Sequence, residues 1–144
     1  MRRLVFIVGC TLPLLAVGFG QQPPKKNALV EKIVREVSAK NIKATIGKLV
    51  SFGTRNTLSD TASEARGIGA ARRWLKSEFE RSAQASDGRM AVEFFETVAP
   101  VSQRIPSPTR VVNVVATLRP EHAGPSADRI IVISGHYDTM PGSA

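Results

Sequence analysis

Cysteine is almost absent. The 144 residues contain one, Cys10, and it lies in an apolar stretch near the amino terminus that reads as a removable signal. A mature chain without cysteine has neither a disulfide framework nor a thiolate metal site, so any metal must be held by histidine and carboxylates. Histidine is nearly as scarce, with His122 and His136 alone. Aromatic residues amount to 6% and do not interleave with the basic ones; no nucleic-acid reading motif and no internal repeat occurs. The net charge of +8, which falls to +6 once Arg2 and Arg3 leave with the signal, is therefore assigned to solvated helix faces and not to nucleic acid. What is present is a globular composition, 42% hydrophobic and 22% charged, in a length that fits one ordinary domain.

Only one long apolar run exists. Arg2 and Arg3 precede Leu4 to Phe19, Gly18-Phe19-Gly20 offers small residues around a cleavage point, and polar Gln21-Gln22 follows. Residues 1–20 thus read as a secretory signal peptide, bacterial in style, which predicts export to a periplasm or the medium. Pro13 and a run short of the ~20 apolar residues of a spanning helix argue against a stable membrane anchor. Ile7-Val8-Gly9-Cys10 loosely resembles a lipoprotein box, but the apolar run continues past Cys10, where a lipidated cysteine would end it.

Residues 21–27, QQPPKKN, form a polar spacer, and 28–144 read as the amino-terminal portion of a larger domain. Asn27 caps a helix over about 28–38, with Val30, Ile33, Val34 and Val37 in one stripe. After a break near Ser38, Ile42, Ile46, Leu49 and Val50 repeat the pattern. Residues 51–59 are a loop. Thr61-Ala62-Ser63-Glu64 has capping-box form ahead of a helix ending near Ser82, with Ile68, Ala71, Leu75 and Phe79 inward and Trp74 on the flank. Gly67 and Gly69 each cost such a helix about 1 kcal/mol against alanine, which points to close backbone packing or to a frayed start. Asp87-Gly88 marks a turn before a strand from Met90 to Val98, with Val92, Phe94 and Val98 on one side. The β-branched run Val111 to Leu118 and the stretch from Arg129 to Ser134 read as two buried strands. Their connections lack helical period and suit antiparallel neighbours, so a sheet covered by helices is expected.

The last of these strands empties into Ser134-Gly135-His136-Tyr137-Asp138-Thr139. In extended chain His136 and Asp138 share a face and Tyr137 points away, so the carboxylate reaches the imidazole. A histidine that binds a metal commonly has such a partner, which orients the ring and raises its basicity. One imidazole cannot hold zinc, which needs three or four ligands.

On those residues the chain resembles the secreted zinc aminopeptidases of metallopeptidase family 28. The resemblance covers most of the mature chain and is carried by LVSFGTRNT, RGIGAARRWLKSEFE, VVNVVATL and ISGHYDT in that order. It implies an α/β fold, a three-layer α/β/α arrangement with a mixed, mostly parallel sheet, of which only the amino-terminal part is present. It further implies two zinc ions at the carboxyl ends of the central strands, a peptide substrate, His136 as the first zinc ligand and Asp138 as the catalytic-site carboxylate behind it. A bridging Asp, a general-base Glu and a second His would follow Ala144. Substrate-binding residues and oligomeric state are unassigned, and aminopeptidase, carboxypeptidase and glutaminyl cyclase activities all share the fold.

Metallopeptidase family 20, with a similar GHYDT followed by proline, is a rival that Pro141 keeps open, and a secreted binding module without activity is another. His122 is expected in an exposed loop, Tyr137 in packing, Asp60 and Glu64 in capping or at the surface, Thr139 and Met140 at the mouth of the site. Arg55 and Asn56 belong to the segment that carries the resemblance, yet no chemistry is read from them. These 144 residues alone are expected neither to cleave peptide amides nor to bind zinc tightly. Measurable aminopeptidase turnover by the isolated chain would contradict that expectation.

Overall fold

The computed structural model describes residues 26–122, 124 and 129–140; the predicted signal peptide, residues 21–25 of the spacer and Pro141 lie outside the described residues. The chain divides into two units, 1–37 and 38–144. In the first, helix α1 (Ala28–Glu36) starts at the expected cap: the Asn27 side chain accepts from Leu29 N at 2.9 Å and Val30 N at 3.4 Å. It ends where Val37 turns extended, two residues before the predicted limit.

In the second unit the break at Ser38 proves to be a new start. Ser38 Oγ accepts from Asn41 N at 3.3 Å and opens helix α2 (Ala39–Ser51). The helix stops at Gly53, which takes φ +69° and returns its N–H to Val50 O at 2.9 Å, a left-handed ending that glycine adopts without a Cβ penalty. Of the predicted stripe only Leu49 meets the core, while Ile42, Ile46 and Val50 remain exposed.

Helix α3 (Gly67–Ala83) begins later than the Thr61–Glu64 capping box predicts. Residues 61–66 instead form turns, in which Asp60 Oδ1 accepts from Ala62 N at 2.8 Å and Ser63 N at 2.9 Å. Those two donors hold the Asp60 carboxyl below the usual carboxylate range. Glu64 is exposed, with Oε2 at 3.4 Å from Arg73 Nε, a Coulombic contact without hydrogen-bond geometry. The helix is delayed because its first turn is bound to other backbone: Gly67 N donates to Phe52 O at 2.9 Å and Gly69 N to Asp60 O at 3.1 Å. A Cβ on Gly67 would lie 2.3 Å from Asp60 O, and one on Gly69 2.1 Å from Thr61 O. Close packing, not fraying, explains both glycines. Beyond them Ala70 and Ala71 bury against Phe52, whose ring meets Trp74 at 6.1 Å between centroids.

A 3-10 turn (Gln84–Ser86) and the predicted Asp87-Gly88 turn, both residues at positive φ, lead into strand β1 (Met90–Ala99). It pairs antiparallel with β2 (Thr109–Leu118), with Phe94 opposite Val114 and Met90 opposite Leu118. Val92 and Phe94 are half-buried and Val112 is buried, whereas Val98, at the far end of the hairpin, is exposed.

The third predicted strand does not form. Ile130 to Ile133 carry no ladder and are 81–94% exposed. A run of four apolar residues becomes a central strand only with a neighbour on each edge and cover on both faces, and the described residues supply neither. They form a mixed α/β arrangement of helices and a two-stranded antiparallel sheet. A three-layer fold with a mostly parallel sheet is not seen among them.

The two kinds of helical glycine make a matched pair of predictions. Gly69→Ala gains helix propensity but drives a methyl into backbone that cannot swing aside, so stability falls by about 2 kcal/mol. Gly47→Ala, mid-helix in α2 with nothing within 4 Å, raises it by up to about 1 kcal/mol. Urea unfolding of the two variants against the parent reads both signs.

Candidate metal centre

His136 and Asp138 come together as the alternation of extended chain requires, with Nδ1 of the imidazole 2.9 Å from Oδ1 of the carboxylate. An ionised carboxylate only accepts, so Nδ1 is the donor of the pair, and in the neutral imidazole the lone pair then lies on Nε2. The imidazole is 95% exposed, so that lone pair is open to solvent.

Tyr137 turns the other way. Its hydroxyl donates to Val112 O of β2 at 2.6 Å, and the residue packs on the cluster of Phe52, Ala70 and Ala71, as Leu49 and Trp74 also do. Packing is what the alternation predicts for it. Burial pushes its phenol above the ordinary value; the Arg72 charge opposes this, and the Asp138 carboxylate adds to it.

A second anchor comes from Arg55, to which sequence reasoning attached no chemistry. Its backbone N–H donates to Thr139 Oγ1 at 2.9 Å and its carbonyl accepts from Thr139 N at 3.2 Å. Its Nε donates to Tyr137 O at 2.8 Å, while Nη1 donates to Leu49 O at 2.5 Å and Gly53 O at 3.2 Å. Asn56 Nδ2 reaches Thr139 O at 3.5 Å. The one available signal was position: a cation just past a helix end commonly bonds the last free carbonyls. Thr139 therefore faces Arg55. Neither it nor Met140, which is exposed, lines the cleft, contrary to the expectation that they sit at its mouth.

That cleft, about 330 Å³ and open on one side, lies between the start of α3, β2 and residues 134–138. Ile68 and Val112 line it with apolar surface, Arg72 and Arg110 with cationic groups, and the exposed Gly135, His136 and Asp138 form its rim. Arg72 is buried at 8% exposure, and Arg110 pairs with Glu96 at 3.4 Å. His122, as expected, is exposed, 3.8 Å from Glu121.

No group of three or more His, Cys, Asp or Glu side chains that could hold a metal occurs among the described residues. The donor chemistry of His136 nevertheless fits one ligand position: an imidazole braced at one nitrogen, with the other open beside a cleft.

The chain is similar to fungal proteins named "Probable zinc metalloprotease". It is 47% identical to one from Leptosphaeria maculans over 123 residues, 85% of this chain and 28% of that protein. It is 42% identical to another from Phaeosphaeria nodorum over 129 residues, 88% of this chain and 25% of that one. A relative from Pyricularia oryzae is 42% identical over 113 residues, 78% and 22% respectively. The chain thus spans about a quarter of the length of the curated relatives it matches. No family model and no solved structure matches it.

Tyr137 is the single tyrosine, so its titration can be read alone. Its raised value means that the stability it contributes is complete below pH about 10, the unfolded value, and is lost as pH rises through the folded one. In the metal-free protein the tyrosinate absorbance should rise with a midpoint above 10. Tyr137→Phe removes this bond, for a loss of about 1 kcal/mol at neutral pH, and flattens the alkaline decline. Urea midpoints from neutral to alkaline pH check both effects.

Proposed function

We propose that this chain carries the first metal-binding motif of a zinc metallopeptidase, with His136 as a zinc ligand through Nε2 and Asp138 as the carboxylate that orients it. The observation that carries the reading is the 2.9 Å contact between the two, at the rim of an open cleft. The name shared by relatives 42–47% identical over most of this chain supports it independently.

Within that reading each residue has a defined task. Asp138 accepts the Nδ1 proton, which selects the tautomer with its lone pair on Nε2 and makes that nitrogen a stronger donor. Tyr137 holds the backbone between the two from the opposite side, through its ring and its bond to Val112 O. When bound, zinc supplies Lewis acidity toward a peptide carbonyl and toward water. The cleft beside His136, with apolar and cationic side chains in its lining, would receive a peptide segment next to the imidazole.

In its finer form the proposal is an exported aminopeptidase of metallopeptidase family 28, with two zinc ions and a three-layer fold built around a mostly parallel sheet. The further ligands and the general base belong to parts of that fold that the described residues do not include. Support for this form rests on the ordered segments LVSFGTRNT, RGIGAARRWLKSEFE, VVNVVATL and ISGHYDT.

In the intact protein His136→Ala should abolish peptide hydrolysis and lower zinc occupancy. Asp138→Asn should weaken zinc binding about 10–100-fold while leaving the fold unchanged. Metal analysis after dialysis against a chelator, together with turnover of a peptide with a free amino terminus and of its acetylated counterpart, tests these statements. Unchanged turnover in His136→Ala removes the residue from the site, and equal cleavage of the blocked peptide rules out an aminopeptidase.

A further inference from the structure

We propose that Arg55 is a positioning residue for the metal-binding segment, a role that rests on the reading of His136 as a ligand. Among the described residues the ties that place His136 come from those that follow it. Upstream, Ile130 to Ile133 are exposed and join no ladder, so they do not fix where the imidazole stands. Downstream, Arg55 bonds the residues on both sides of Asp138, taking the carbonyl of Tyr137 with its side chain and bracketing Thr139 with its own N–H and carbonyl.

Tyr137 is thereby held at two ends, by its hydroxyl on β2 and by its carbonyl on Arg55. A residue tied at both ends cannot rotate about the chain axis. Its neighbours His136 and Asp138 consequently keep a fixed orientation toward the cleft, and the ring and its brace are set together.

The same guanidinium is fastened at its other edge to Leu49 O and Gly53 O, where α2 ends. The helix terminus supplies carbonyls that need a donor and a dipole that favours a cation, so the fork is itself immobilised. Arginine is required for this geometry. Its Nε and Nη1 lie in one rigid plane and serve three carbonyls from two separate segments, whereas the lysine ammonium is a single point on a flexible stem. A helix cap alone would need only the bonds to Leu49 O and Gly53 O; the bond to Tyr137 O and the bracket on Thr139 have no purpose in that role.

The test compares Arg55→Lys with the parent in the intact protein by three readouts. Amide hydrogen exchange across 136–140 is measured without metal, zinc affinity by competition with a chelator, and kcat and KM with a peptide substrate. The expected result is exchange at least fivefold faster in 136–140 and little change in strands β1 and β2. Zinc affinity should fall about tenfold, the scale on which residues that support metal ligands act, and kcat should fall with KM near that of the parent. A lower melting temperature with unchanged exchange in 136–140 and unchanged zinc affinity would make Arg55 a helix cap only and overturn the proposal. If Arg55→Lys does not fold, Thr139→Ala, which removes the acceptor of the Arg55 N–H, is expected to show the same directions at smaller size, and its failure to do so counts equally against it. Zinc affinity untouched by His136→Ala overturns the ligand reading instead, and the exchange measurement, which needs no metal, tells that failure from failure of the Arg55 role.

Discussion

A helix that ends leaves carbonyls without partners, and here one guanidinium takes a carbonyl at the end of α2 and another from the far end of the described chain. The bonds from Arg55 to Leu49 O and Tyr137 O join segments more than eighty residues apart in sequence. Gly53 makes this possible by ending α2 in a left-handed turn, which brings residue 55 back beneath the helix terminus. Phe52, one residue earlier, enters the core and accepts the first N–H of α3. Phe52, Gly53 and Arg55 thus end one helix, seat the next and tether the segment that carries His136.

The segment needs several such ties because it has little else. Each hydrogen bond contributes on the order of 1 kcal/mol net, and the buried core around Phe52, Ala70 and Ala71 is small. The tyrosine combines both kinds of support, with an apolar ring in the cluster and a hydroxyl on the backbone of β2. With Tyr137 turned inward, the alternation of extended chain leaves His136 and Asp138 facing out together, and the imidazole acquires its acidic partner without any residue from elsewhere in the fold.

Local features were legible in the sequence where short-range chemistry decides them. Asn27 caps as its side chain requires, the helical pattern breaks at Ser38, Asp87-Gly88 turns, the β1–β2 connection is antiparallel, and the His136–Asp138 contact follows from period two. What escaped depends on segments distant in sequence. Thr61–Glu64 has the letters of a capping box, but Gly67 and Gly69 press against residues 60–61 and the helix cannot start before them. Ile130–Ile133 has the letters of a buried strand, but burial is a property of neighbours. Arg55 looked like one cation among many, since nothing local to it announces a bond to residue 137.

The central claim is that this arrangement presents Nε2 of His136 to a zinc ion with Asp138 behind Nδ1. An anomalous-difference map of the intact protein, collected on either side of the zinc absorption edge, addresses it directly. The account predicts an anomalous peak about 2.0–2.1 Å from His136 Nε2, with Nδ1 still on the Asp138 carboxylate. A zinc peak coordinated by other residues with His136 free of it, or one bound through Nδ1, would contradict it.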